Sequence, residues 1–350
     1  MTQPSSKRIP VTILTGFLGA GKTTLLNRIL TEEHGKRIAV IENEYGEVGI
    51  DHELVINTDE EIFEMNNGCI CCTVRGDLIR ILGNLLRRRN KFDHILIETT
   101  GLADPGPVIQ TFFVDEDLKQ ALLVDSVVTL VDAKHVLQHI DDSREVKEQI
   151  AFADIILLNK MDLVDAAEAD ALEKRIHSIN KLSKIYRTEN AAIDLSYVLD
   201  VGAFDLDRIM EIEPDFLEEE QHHDHSEHEC GPDCTHHHDD EKEEEHHHDH
   251  EHDESIQSVG IEHEGEVHGE RLNEWIRVLL ASKGRDIFRM KGIFCIKGQP
   301  NRLVFQGVHM MLDAKPETDS RGKARKSSLI FIGRNLDREE LNKGFQGCLA

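Results

Sequence analysis

A chain of 350 residues is long enough for two domains, or for one large domain with an appendage, and can bury a substantial core. Forty Lys and Arg face 67 Asp and Glu, a formal charge of −27, which argues against nucleic acid and anionic membrane surfaces as partners. The imbalance is concentrated: Glu213 to Glu254 carries 19 acidic side chains, one lysine and 12 of the 21 histidines, or −18, leaving −9 for the other 308 residues.

Three of the seven cysteines crowd together at Cys69, Cys71 and Cys72, a spacing unlike the separated cysteines of a secreted disulfide framework, so a reducing compartment is expected. Met1 to Pro10 has basic residues but no apolar signal-peptide segment, and no run approaches the roughly 18 apolar residues of a membrane helix. The expected location is the cytoplasm.

The elements alternate in chain order as βαβ units do. Val11 to Thr15 reads as a buried strand, followed by Gly16-Phe17-Leu18-Gly19-Ala20-Gly21-Lys22-Thr23, which matches the phosphate-binding P-loop, and by a helix over Lys22 to Glu33. Glycines at Gly16, Gly19 and Gly21 let backbone N–H groups, including that of Ala20, curl around phosphate oxygens at a helix N-terminus. Lys22 reaches the terminal phosphates, and the Thr23 hydroxyl suits Mg²⁺. A strand over Arg37 to Glu42 comes next, and then Gly68-Cys69-Ile70-Cys71-Cys72. Cys-x-Cys puts two sulfurs on one side of an extended segment and the third follows directly. Such a thiolate set suits Zn²⁺ or Cu⁺ and needs one more ligand for a tetrahedral site. A buried free-cysteine cluster and a thiol redox site are the other readings.

Gly76 to Arg89 has helical spacing. The strand His94 to Glu98 runs into Glu98-Thr99-Thr100-Gly101, where the acid helps hold Mg²⁺ through water and the Gly101 N–H meets the γ-phosphate. No Gln follows Gly101 to orient the attacking water, so slow intrinsic hydrolysis is expected. The strand Ser126 to Val131, the helix Arg144 to Phe152 and the strand Ile155 to Leu158 precede Asn159-Lys160-Met161-Asp162 at a carboxyl strand end, where ligands of open α/β sheets bind. Guanine offers two adjacent donors that the Asp162 carboxylate can accept together and adenine does not, so Asp162 selects GTP, with Asn159 and the Lys160 stem supporting loop and base. A helix over Ala166 to Ile179 closes this half. His94 reads as a satisfied core residue, His177 and His309 as surface.

Glu213 to Glu254 is too polar to bury a core and reads as a linker; its Cys230, Cys234 and clustered histidines offer metal donors on a flexible chain. Beyond it, Ile256 to Glu262, Gly292 to Lys297, Arg302 to Met311 and Ser328 to Gly333 read as strands and Arg271 to Ser282 as a helix, a smaller α+β domain. The expected organisation is α/β: a P-loop NTPase domain with a mostly parallel sheet over 1–212, the linker over 213–254 and the C-terminal domain over 255–350.

These motifs, together with Glu42-Asn43-Glu44-Tyr45-Gly46-Glu47, Leu102-Ala103-Asp104-Pro105 and the C-terminal Arg289-Met290-Lys291-Gly292-Ile293, Gln306-Gly307-Val308 and Phe331-Ile332-Gly333, resemble the CobW-like family of P-loop GTPases, and within it the zinc metallochaperones. The resemblance covers nearly everything outside the linker. It implies GTP hydrolysis coupled to holding zinc and delivering it to a client metalloprotein, often in a homodimer or higher homo-oligomer. By position it implies phosphate and Mg²⁺ binding by Gly19 to Thr24, guanine binding by Asn159, Lys160 and Asp162, and zinc at Cys69, Cys71 and Cys72. Glu42 and Glu47 become candidates for Mg²⁺ or metal contact. Lys22, Glu98 and Gly101 are the candidate catalytic residues. Asn180-Lys181 departs from the family's usual Asn-Pro. The alternatives are a metal store or sensor built on the His-rich segment, a cobalt or nickel insertion GTPase, and a small-molecule kinase, against which Asp162 speaks.

Overall fold

The computed structural model describes residues 8–42, 62–64, 72–204, 256–317 and 325–350. Within them the first half alternates β1 (Ile9–Gly16), α1 (Lys22–Thr31), β2 (Ile38–Glu42), β3 (Ile62–Glu64), α2 (Cys72–Leu86), β4 (His94–Glu98), α3 (Gly106–Val114), α4 (Glu116–Ala121), β5 (Leu122–Asp132), α5 (Arg144–Phe152), β6 (Ile155–Asn159), α6 (Ala166–Ile179) and β7 (Lys184–Arg187). The strands form one parallel sheet in the order β3-β2-β4-β1-β5-β6-β7. Strands β2, β4 and β6 are apolar over almost their whole length because helices cover both faces. Parallel strands put all their carboxyl ends on one edge, and the P-loop, the loop after Glu98 and the loop after Asn159 therefore converge there.

The second half is antiparallel: β8 (Ile256–Glu264), β9 (Ile287–Phe294), β10 (Leu303–Val308), β11 (Met311–Pro316) and β12 (Lys326–Arg334) pair in the order β11-β10-β9-β12-β8. Helices α7 (Gly269–Lys283) and α8 (Arg338–Gln346) pack with this sheet around Leu272, Phe294, Phe331 and Phe345. No helix among the described residues is long and apolar enough to cross a membrane.

Helices α5 and α6 and strand β4 have the bounds their patterns predict. Other expectations need correction. Helix α2 begins at Cys72 rather than Gly76, so the third cysteine opens a helix instead of continuing an extended segment. The strand placed at Gly292 to Lys297 is β9, Ile287–Phe294. Its charged Arg289 and Lys291 mimic a loop, yet both are 1% exposed and lie against Asp154 of the first half, Arg289 Nη1 at 2.7 Å and Lys291 Nζ at 3.7 Å. Arg302 to Met311 is two strands, turning at His309, which takes a left-handed φ of 50° without a glycine to announce it. His309 is half-buried, not surface: its ring packs on Phe152 and Phe288, and burial pushes its pKa down. His94 is fully buried with Nε2 2.9 Å from Thr12 Oγ1, and His177 is exposed.

The two halves share a buried seam. Arg289 donates to the Phe152 carbonyl at 2.9 Å and its guanidinium lies over the Phe204 ring. Ser258 donates to the Ile179 carbonyl and accepts from the Lys181 N–H. Asn180 earns its place without the proline: its side-chain amide donates to the carbonyls of Ile150, Ala151 and Ala153 and its oxygen accepts from Leu182 N–H, staples that join the ends of α5 and α6.

Candidate nucleotide and metal site

The P-loop links β1 to α1 at the carboxyl edge, and helix α1 starts at Lys22 with Gly21 as its cap in the left-handed region, φ 110°. Gly21 has a second constraint: a Cβ there would lie 2.5 Å from Asn159 Nδ2. Lys22 is 9% exposed and its ammonium donates to the carbonyls of Gly16 at 2.9 Å and Phe17 at 3.2 Å, which curls the loop around its own cation. Gly16, Gly19, Ala20, Gly21 and Lys22 thus form one continuous cradle, with Thr23 half-buried and Thr24 exposed on the first turn of α1.

At the carboxyl end of the sheet next to the P-loop, Asn159 ends β6 and is 2% exposed. Its amide donates to the Ala20 carbonyl at 2.9 Å, and its oxygen accepts from Ala191 N–H at 2.9 Å and Thr188 Oγ1 at 3.2 Å. Asn159 therefore braces the P-loop against the loop after β7. Lys160 adopts a left-handed conformation and donates to Asp132 at 2.7 Å, and the exposed Asp162 follows in a short 3-10 turn, Met161–Leu163. Asp132, at the end of β5, also accepts from His135 Nδ1 at 3.0 Å. Burial alone would raise its pKa, but the hydrogen bonds from Lys160 and His135 outweigh it and hold the carboxyl below its ordinary value. Asp132, Thr188 and Ala191 were not identified from the motifs. Asp132 sits just past the apolar run read as a strand, and Thr188 follows β7, an edge strand too polar to stand out.

The loop after β4 lies directly beside the P-loop. Thr99 donates from its backbone to Leu14 O and from its hydroxyl to Thr15, both at 2.9 Å. Gly101 presses on Leu18, where a Cβ would come within 2.6 Å of the side chain and 2.8 Å of the backbone nitrogen, so only glycine fits. Asp104 caps the far end by accepting from Gly106 N–H at 2.8 Å, with its pKa raised by burial. Gln149, from α5, donates to the carbonyls of Gly101 and Ala103, each at 3.1 Å. It also lines a cavity of about 200 Å³ with Phe17, Leu18, Asp132 and His139.

Register places three glutamates in one row at this edge: Glu98 pairs with Glu42, and Glu42 with Glu64, on adjacent parallel strands, while Glu98 also pairs with Leu14 just before the P-loop. Thr23 and Glu98 bring hydroxyl and carboxylate oxygens to the same edge, the donor type a Mg²⁺ ion takes. Of the expected metal ligands, Glu42 is buried at the end of β2 and Cys72 opens α2, whereas Cys69, Cys71 and Glu47 lie outside the described residues, as does Glu213 to Glu254. Among the described residues, no group of three or more His, Cys, Asp or Glu is placed to hold a metal ion.

Comparison with known proteins adds to this geometry. Residues 10–187 match the CobW/HypB/UreG nucleotide-binding domain, and residues 256–349 match the cobalamin synthesis protein CobW C-terminal domain. The chain is similar to the zinc chaperone YjiA of Escherichia coli, at 36% identity over 97% of this chain and 98% of that one. It is also 36% identical to the zinc-regulated GTPase metalloprotein activator 1 of Schizosaccharomyces pombe, over 94% of this chain and 83% of that protein. The crystal structure of Zn(II)-bound YjiA GTPase from E. coli superposes with a TM-score of 0.72 at 32% identity, covering 99% of this chain and 100% of that one.

Proposed function

Because the chain belongs to the CobW/HypB/UreG family, with its C-terminal CobW domain, we propose that it is a GTP-hydrolysing metallochaperone that binds zinc and hands it to client metalloproteins under control of the bound nucleotide. The names of its relatives, zinc chaperone and zinc-regulated GTPase metalloprotein activator, support the cargo and the nucleotide. Lys22, Thr23 and the cradle from Gly16 to Thr24 hold the phosphates and Mg²⁺, Glu98 and Gly101 face the γ-phosphate, and Asp162 reads guanine while Asn159 and Lys160 shape its loop. Cys69, Cys71 and Cys72 hold zinc, with Glu42 and Glu47 as carboxylate contacts. The chain divides at 1–212, 213–254 and 255–350, and the His-rich middle segment gathers further ions at modest affinity.

One observation carries the coupling. Cys72 opens α2, the helix that follows β3, and β3 lies in the same register row as Glu42, Glu98 and the strand that leads into the P-loop. A shift of the loops at this edge with nucleotide state therefore acts on the segment that carries the cysteines. Linkage makes the effect mutual: GTP must change zinc affinity by the factor by which zinc changes GTP affinity. Competition titrations of zinc in the presence of a GTP analogue, GDP or no nucleotide test this, and a dependence lost on replacing Cys69, Cys71 and Cys72 by serine is expected. Equal zinc affinity in all three states would overturn the coupling while leaving the GTPase intact.

A further inference from the structure

The γ-phosphate-facing loop lacks a following glutamine, but one reaches it from elsewhere in the fold. Gln149 is 1% exposed, on the face of α5 turned toward the sheet, and its side-chain NH₂ spans the carbonyls of Gly101 and Ala103 at 3.1 Å each. A carboxamide is the side chain suited to this task, since its two N–H groups diverge in one plane and carry no charge into the core. The residue is itself held: Thr129 Oγ1, on β5, donates to the backbone carbonyl of Gln149 at 2.9 Å. Its neighbour Glu148 accepts from Arg144 at 2.7 Å and from Arg334 of β12 at 3.3 Å, so α5 is anchored to the C-terminal sheet as well.

Gly101 is thereby fixed from two sides. Leu18 of the P-loop occupies the space where its Cβ would be, and Gln149 holds its carbonyl. The Gly101 N–H shares a peptide plane with the Thr100 carbonyl, which accepts from Ala103 N–H at 3.1 Å, and Gln149 holds the next plane through the Gly101 carbonyl, so the glycine is restrained on both sides of its Cα.

We propose that Gln149 is the positioning residue of the γ-phosphate-facing loop, keeping the Gly101 N–H aimed at the terminal phosphate of GTP. The proposal rests on the GTPase reading above. It requires Gln149 to matter for the triphosphate and not for the diphosphate, because GDP offers Gly101 nothing to bind. A brace that served folding alone would show no such preference.

The test uses the full chain with Gln149→Met, which keeps the length and apolar stem but removes the donors, and Gln149→Glu, which keeps the shape and sets a carboxylate against two carbonyls. Affinities for a non-hydrolysable GTP analogue and for GDP are measured with the single-turnover hydrolysis rate and the melting temperature. In both variants the analogue's affinity and the hydrolysis rate are expected to fall about tenfold, the scale of one buried donor withdrawn from its acceptors, with GDP affinity within about twofold of wild type. Equal losses for both nucleotides, or a lowered melting temperature with an unchanged analogue-to-GDP ratio, would overturn the proposal. Wild-type protein that hydrolyses no GTP would instead overturn the GTPase reading, so the two failures are distinct.

Discussion

Strand β6 has a buried polar residue at each end, and the two are held in contrasting ways. Asn159, at the nucleotide edge, is a neutral amide whose partners, Ala20, Thr188 and Ala191, all belong to the parallel-sheet half. Asp154, just before the strand, is a carboxylate that accepts from Val127 N–H at 2.8 Å within that half and faces Arg289 and Lys291 from the other. A neutral network of this kind shapes a loop at modest energetic risk. A buried charge cluster is different, because desolvation makes each member costly without its partners. Asn159 is thus held by neutral hydrogen bonds within one half, and Asp154 by charge from across the seam.

Three variants test that contrast, beginning with the largest effect. Asp154→Ala should lower the stability measured by urea unfolding by about 3–5 kcal/mol, since it takes the carboxylate from against the buried Arg289 guanidinium. Adding Arg289→Met should recover part of the loss if the penalty is the stranded charge; no recovery would mean that shape, rather than charge, holds the seam. Asn159→Ala should cost about 2 kcal/mol and weaken GTP binding at least about tenfold by calorimetry, because the P-loop and the loop after β7 lose their common brace. A loss equal to that of Asp154→Ala would erase the distinction between the two ends of β6.

The smallest effect concerns Asp200, whose carboxyl is held well below its ordinary pKa by the His94 ring and the ion pair to Lys36. A depressed carboxylate contributes stability above its unfolded pKa, near 3.8, and loses it progressively as pH falls below that value. The side chain is 45% exposed, so solvent screening keeps the contribution small. Melting temperatures between about pH 2 and 5 should therefore show a shallower acid decline in Asp200→Asn than in wild type. Parallel declines would show that this pair does not contribute.

Much of the parallel half was legible residue by residue. Strand β4 and helices α5 and α6 carry their burial in a regular period, and the capping box of Asp165 and Glu168 marks the start of α6. The P-loop and Asn159 to Asp162 are contiguous motifs at the ends of buried strands. What escaped did so for identifiable reasons. Helix α3 begins among Pro105, Gly106 and Pro107, a composition that looks like a loop although proline is well suited to a first helical turn. Strand β7 lies at a sheet edge and is polar. The charges at Arg289 and Lys291 concealed the first part of β9, because their partner, Asp154, is far away in the chain.

The sequence by itself determined the βαβ alternation of the first half and the places of the P-loop and of Asn159 to Asp162, because periodicity and contiguous motifs act over a few residues. Tertiary structure alone decided that Lys160 is oriented by Asp132, that Gly101 is pinned between Leu18 and Gln149, and that Arg289 and Lys291 are interior. Each of those facts joins residues distant in the chain. Whether an amide or a charge is satisfied depends on the donor or acceptor that folding brings to it, and no local pattern encodes that partner.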